Sequence, residues 1–165
     1  MRQEAFEALY ERYAQDLFAF LAYRTGDRLA AEDLAADTFE RAFRARAKFD
    51  RRRASEKTWL YSIALNALRD YHRRSHAREA ALGLEGSRAD DLAPDALGQA
   101  VSRVDAMAAL ELLSPEEREA VALRFGGDLT VPEIAAITGQ SVSTAEGRVY
   151  RALRKLRAAM AASAD

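Results

Sequence analysis

Arg148, Arg151, Arg154, Lys155 and Arg157 crowd one helix-length stretch near the end of the chain, and their neighbours decide what such charges can do. The stretch 129–157 reads LTVPEIAAITGQSVSTAEGRVYRALRKLR. Thr130 can cap a short helix, with Glu133 completing a capping box and Pro132 tolerated in the first turn. Ile134, Ala135 and Ile137 give that helix a small apolar face, and Gly139 permits the left-handed backbone of a tight turn. A second helix from about Val142 carries apolar positions at Val142, Ala145, Val149, Leu153, Leu156 and Met160. Two short helices around a glycine turn, the second one basic, form the helix-turn-helix design whose second helix enters the major groove. The plainer reading is a helical hairpin with a solvated charged face.

A second basic cluster lies upstream. Arg51, Arg52, Arg53, Lys57, Arg69, Arg73 and Arg74 suit phosphate and single-strand contact, while Asn66 among them is neutral and can read base edges. Each arginine alone is an ordinary solvated charge; their clustering beside Asn66 favours a nucleic-acid role.

The net charge of −1 hides strong local imbalance. Residues 51–78 carry +6, residues 79–120 carry −7, and the flanking segments 1–50 and 121–165 carry −2 and +2. Basic blocks can therefore meet phosphate although the total is near zero. The same total implies weak unaided affinity for duplex DNA, since counterion release needs many simultaneous phosphate contacts. The absence of cysteine excludes disulfides and thiolate metal sites. The amphipathic start MRQEAFEALYERYAQDLF is not a signal peptide and no apolar run reaches membrane-spanning length, so a cytoplasmic protein without membrane insertion is expected.

Many alanines, few β-branched runs and three prolines point to an all-α fold. Phe6, Leu9, Tyr10, Tyr13, Leu17, Phe20 and Leu21 recur at helical spacing in a first helix ending near Thr25-Gly26-Asp27. A second helix, about Leu29 to Ala47, is expected to bury Leu34, Phe39, Ala42 and Phe43. After the basic loop 48–55, a third helix from about Glu56 to Arg74 places Trp59, Leu60, Ile63, Ala67, Leu68 and Tyr71 inward. Residues 77–100, with three glycines, Pro94 and many small or acidic side chains, read as a flexible linker. From Val101, the positions Val104, Leu110, Leu112 and Leu113 resume a helical pattern, and Ser114-Pro115-Glu116-Glu117 is a complete helix start. The expected architecture is two small helical domains, a three- to four-helix module at 1–76 and a four-helix module at 101–165.

Several segments together make the chain resemble the extracytoplasmic-function branch of the sigma-70 family of bacterial sigma factors. They are AEDLAADTFERAF at 31–43, TWLYSIALNALRDYHRR at 58–74, and LLSPEEREAVALRF followed by the helix-turn-helix. The resemblance covers roughly residues 3–76 and 103–158. It implies an alternative sigma factor that joins core RNA polymerase through the β′ coiled coil and β flap, and recognises promoter DNA at two elements. It also implies an anti-sigma factor as controlling partner, and no cofactor.

Carried over residue by residue, the resemblance gives Glu32, Asp33, Asp37, Phe39 and Arg41 to the polymerase-facing surface, with Phe39 mostly core. It gives Arg51, Arg52, Arg53, Lys57, Asn66, Arg69, Arg73 and Arg74 to the −10 element, where the loop helps capture an unstacked base. It gives Ser143, Thr144, Glu146, Arg148, Arg151 and Lys155 to the −35 element. The chain departs from the family pattern at Glu146, where a basic residue is common. Glu146 either accepts from a cytosine amino group or repels phosphate and pairs with Arg148 or Tyr150. Ala36 and Ser62 are further departures, and Trp59-Leu60 stands where housekeeping sigma factors carry adjacent tryptophans; core packing is expected for Trp59.

Two rival readings follow from the residues. An enzyme is disfavoured, because the chain has no phosphate-binding glycine loop, no cysteine nucleophile and no compact acid–base pair. His72 and His76 lie four apart, but without a local third ligand they make a poor metal site. The other rival is a helix-turn-helix regulator that binds DNA without polymerase.

Overall fold

Gly26 and Asp27 stop one helix and start the next. Gly26 takes the left-handed conformation at φ 64°, and its N–H reaches back to the Ala22 carbonyl at 3.0 Å. The Asp27 carboxylate then accepts from the N–H groups of Leu29 (2.9 Å) and Ala30 (3.2 Å), satisfying first-turn donors of the following helix. In the computed structural model, which describes residues 1–83 and 109–163, these elements are α1 (Gln3–Thr25) and α2 (Arg28–Ala45). A single 3-10 turn, Arg46–Lys48, leads into the loop before α3 (Glu56–Ala81). Ser55 caps α3 by accepting from the Thr58 N–H at 3.0 Å.

The chain divides into two compact units, Met1–Ala93 and Pro94–Asp165. In the first, α1, α2 and α3 pack on one another around Leu9, Leu17, Phe20, Leu21, Leu34, Leu60, Tyr61, Leu65 and Leu68. Four expectations shift. Phe43 is 38% exposed, its ring held against Phe6 at 5.2 Å and covered by the Arg46 guanidinium at 3.7 Å. Tyr10 is likewise exposed rather than core. On α3 the buried line is Leu60, Tyr61, Ala64, Leu65, Ala67 and Leu68, while Trp59, Ile63 and Tyr71 are only half-buried. Finally, α3 continues through Ala77–Ala81, the first residues of the expected linker, and stops before Gly83 at φ 68°. The rest of that linker from residue 84, and the expected helix from Val101 as far as residue 108, lie outside the described residues.

In the second unit, helical residues 109–111 precede α4 (Pro115–Val121). Ser114 and Glu117 form the expected capping box: the Glu117 N–H donates to Ser114 Oγ at 3.2 Å, and the Ser114 N–H donates to Glu117 Oε2 at 3.0 Å. A π-type turn, Ala122–Gly126, follows, with Asp128 at φ 49° redirecting the chain. The second capping box, Thr130 with Glu133, opens α5 (Val131–Thr138). Gly139, at φ 68°, closes it, and the Gln140 N–H returns to the Ala135 carbonyl at 3.0 Å. Then α6 (Val142–Ser163) packs on α4 and α5. Its buried line is Ala145, Val149 and Ala152; Leu153 and Leu156 are half-buried, and Val142 and Met160 are exposed. All elements among the described residues are helical.

Candidate nucleic-acid interface

The outer face of α3 is a continuous stripe. Trp59, Ser62, Asn66, Arg69 and Arg73 follow helical spacing opposite the buried line of Tyr61, Ala64, Leu65 and Leu68. Asn66, Arg69 and Arg73 are exposed, and Arg73 pairs with Asp70 three residues back. Arg74 is exposed on the flank of this stripe, and Lys57 is half-buried in the first turn. Trp59 therefore does not belong to the three-helix core. It stacks on Phe49 of the preceding loop, with centroids 4.9 Å apart and planes tilted 42°, at the end of the stripe nearest the arginine run.

Acids fix that run in place. Glu56, in the first turn of α3, pairs with Arg51 of the loop and with Arg12 of α1 at 3.5 Å. Asp50 accepts from the Arg52 backbone at 3.0 Å and from its guanidinium at 3.3 Å. These contacts hold the Asp50 carboxyl below its ordinary range, the backbone N–H of Arg52 contributing most and its side chain next. Arg53 is exposed. The loop thus presents a row of guanidinium groups on an ordered frame.

In α6, Ser141 is the cap that sequence spacing missed. Its Oγ accepts from the Thr144 N–H at 3.1 Å and lies 2.8 Å from Thr144 Oγ1 and 3.2 Å from Ser143 Oγ. The outer stripe of the helix, opposite Ala145, Val149 and Ala152, is Ser143, Gly147, Tyr150 and Arg154. Tyr150 and Arg154 are both exposed on this stripe, and neither is among the residues expected at the −35 element. Thr144, Arg148, Arg151 and Lys155 share one flank, on which Arg148 is half-buried and Arg151 and Lys155 approach Glu117 of α4; Glu146 is exposed on the other side, without an ion pair to Arg148.

Two of the expected DNA contacts are tied to a protein carboxylate. Lys155 Nζ donates to Glu117 Oε2 at 2.7 Å, and Arg151 Nε stands 3.8 Å from Glu117 Oε1. Glu117 is only 6% exposed. The Lys155 hydrogen bond above all holds its carboxyl below the usual glutamate range, against the opposing effect of burial. Lys155 is consequently part of the unit's internal bonding in this structure.

On α2, Glu32 pairs with Arg28 at 3.1 Å and Asp37 with Arg41 at 2.7 Å, both on the solvent side, where Asp33 is exposed as well. Phe39 turns the other way and is 7% exposed, in edge contact with Phe6 (6.5 Å) and Tyr10 (4.7 Å). Among the described residues no group of three or more metal-ligating side chains comes together, and His76 faces Glu79 at 3.7 Å.

Sigma-70 region 2 matches residues 9–79 and Sigma-70 region 4 matches residues 103–156. The ECF RNA polymerase sigma factor SigX of Bacillus subtilis is 33% identical over 162 residues, covering 94% of this chain and 83% of that protein. The chain belongs to the ECF sigma factors. RNA polymerase sigma factor CarQ of Myxococcus xanthus is 34% identical over 156 residues, 94% of this chain and 88% of its own. For ECF sigma factor BldN of Streptomyces coelicolor the identity is 31%, and the match spans 59% of that longer protein. Among solved structures, RpoE of Bartonella quintana, in complex with the anti-sigma factor NepR, superposes with a TM-score of 0.76 at 25% identity, covering 95% of this chain and 97% of that one. CnrH, in complex with the cytosolic domain of CnrY, gives 0.68 at 28% identity, with 98% and 90% covered. Sigma factors are transcription initiation factors, and no helix among the described residues is long and apolar enough to cross a membrane.

Proposed function

We propose that this ECF sigma factor directs core RNA polymerase to promoters by dividing recognition between its two units. The outer stripe of α3, with Asn66, Arg69 and Arg73, and the loop arginines Arg51, Arg52 and Arg53 engage the −10 element and its separated strand. The exposed face of α6 enters the major groove of the −35 element, through Ser143, Thr144, Arg148 and Arg151 and also through Tyr150 and Arg154. The observation that carries this reading is that each unit turns one helix outward with exposed basic side chains away from its buried line: Arg69 and Arg73 on α3, and Arg151 and Arg154 on α6. Glu32, Asp33, Asp37 and Arg41 on the solvent face of α2 meet the polymerase. The chain works in the cytoplasm and performs no catalysis; the polymerase carries out nucleotidyl transfer. Because RpoE is solved with an anti-sigma factor, we assign this chain the same kind of controlling partner.

The near-neutral total charge gives the chain little hold on duplex DNA by itself. Run-off transcription and promoter binding, each with and without core polymerase on a promoter library, test the reading. Specific initiation that requires both proteins is expected. Tight, sequence-specific binding by the chain alone would instead indicate a regulator that acts without polymerase.

A further inference from the structure

The guanidinium of Arg151 lies between Glu117 and Gly147. On one side its Nε lies 3.8 Å from Glu117 Oε1. Glu117 is itself fixed, because its other oxygen accepts from the Ser114 N–H at 3.0 Å and from Lys155 Nζ at 2.7 Å. On the other side is Gly147, one turn earlier on α6. A Cβ at Gly147 would stand 3.2 Å from Arg151 Nη1, 3.9 Å from Cζ and 4.0 Å from Nη2. The side chain therefore folds back toward the start of the helix, as long helical side chains do. That brings its Nη edge over Gly147 on the outer stripe.

We propose that Glu117 and Gly147 are positioning residues that pre-set Arg151 as a reader of the −35 element. The inference rests on the reading of α6 as the −35 helix. Glu117 takes the Nε edge of the planar fork, and the absent side chain at Gly147 leaves room for the Nη pair to lie over the face that meets the groove. An arginine held in this way loses less conformational freedom when it binds, and its two Nη donors arrive with one orientation. Bidentate recognition of a guanine edge needs that orientation, whereas attraction to phosphate does not. A glycine within an exposed helix lowers helix stability relative to alanine. At 147 the missing Cβ leaves the guanidinium its place above the helix.

The two roles separate cleanly, because Gly147→Ala should leave the fold at least as stable while disturbing the reader. The measurement is transcription by core polymerase with the full chain on a matched promoter and on one with an altered −35 element, taken as a ratio, alongside thermal melting. Arg151→Ala is expected to lower the ratio about tenfold. Gly147→Ala and Glu117→Gln should each lower it about threefold or more, within the coupling range of contacting residues. Neither should lower it further in the Arg151→Ala background. Gly147→Ala should not lower the melting temperature, which sets its effect apart from a general loss of structure. The proposal is overturned if Arg151→Ala lowers the ratio while Gly147→Ala leaves it unchanged. It is equally overturned if Gly147→Ala acts as strongly without Arg151, since Gly147 would then act on DNA directly. If Arg151→Ala itself has no effect, Arg151 is no −35 reader, and that assignment fails together with the proposal.

Discussion

Lys155 Nζ donates to Glu117 Oε2 at 2.7 Å, joining the C-terminal half of α6 to the first turn of α4. The same carboxylate closes the Ser114 capping box, so one buried acid secures both a helix start and a helix–helix contact. Its pKa is lowered from 4.5 on folding, first by the Lys155 hydrogen bond. A depressed carboxylate contributes stability that is present above its unfolded value and is lost as pH falls through the folded value. The second unit should therefore weaken below about pH 4.5. Glu117→Gln should cost about 1.5–3 kcal/mol at neutral pH, the scale of a hydrogen bond to a charged group. It should also flatten the acid limb of a melting-temperature series, and an acid limb of unchanged steepness would assign the loss to other carboxylates.

Arg154 and Lys155 are adjacent in sequence and should behave in opposite ways. Arg154 is exposed on the outer stripe, whereas the Lys155 ammonium is bonded within the unit. Arg154→Ala should change stability by no more than about 0.5 kcal/mol. In a salt series of promoter binding by the holoenzyme, it should reduce the slope by about one, the signature of a single lost phosphate contact. Lys155→Met should instead destabilise the unit by about 1–2 kcal/mol. That is less than for a fully buried pair, because the Lys155 side chain is 44% exposed. Equal effects of the two variants on the salt slope would return Lys155 to the DNA-facing set.

Local rules were legible in the sequence. Both capping boxes, the N-terminal prolines and the Gly139 turn depend on residues within a few positions of one another, and all form as spacing predicts. Register and reach were harder. On α3, Leu60, Ala67 and Leu68 are buried as their spacing predicts, but the face is turned toward Tyr61, Ala64 and Leu65 and away from Trp59, Ile63 and Tyr71, which are half-buried. On α6 the buried Ala152 is too small to stand out beside Leu153, which is half-buried. Helix α3 outruns its apolar pattern, since Ala77–Ala81 lack an apolar face yet remain good helix formers, with Gly83 the first strong stop. The contact of Glu117 with Lys155 spans thirty-eight positions, and no periodicity in either helix announces it.

The turn of the helix-turn-helix gives a direct backbone test. Gly139 sits at φ 68°, and a Cβ there would meet nothing within 4 Å. Any cost of Gly139→Ala must therefore come from the left-handed backbone alone, about 1–2 kcal/mol. Chemical denaturation of the full chain should show that loss, and Gly139→Asn should recover part of it because asparagine tolerates this region better. A neutral Gly139→Ala would mean that the turn adopts another conformation.

Asn66 tests the first unit independently of the second. It is exposed at the middle of the α3 stripe, between the Phe49–Trp59 stack and Arg73. As a neutral side chain it adds little to phosphate attraction, so its loss should affect base recognition more than overall binding. Asn66→Ala should keep the fold within about 0.5 kcal/mol, as befits an exposed position. With core polymerase, it should reduce the preference for a matched −10 element and the permanganate reactivity of the opened strand, while −35 dependence stays intact. Arg69→Ala and Arg73→Ala should differ from it by weakening binding to matched and altered −10 elements alike, with a shallower salt dependence. If Asn66→Ala leaves both −10 preference and opening unchanged while the two arginine variants weaken binding, α3 tracks the backbone and the base contact belongs to the loop. If all three variants behave as wild type, the stripe has no part in promoter recognition, and the division of labour between the two units fails at its first half.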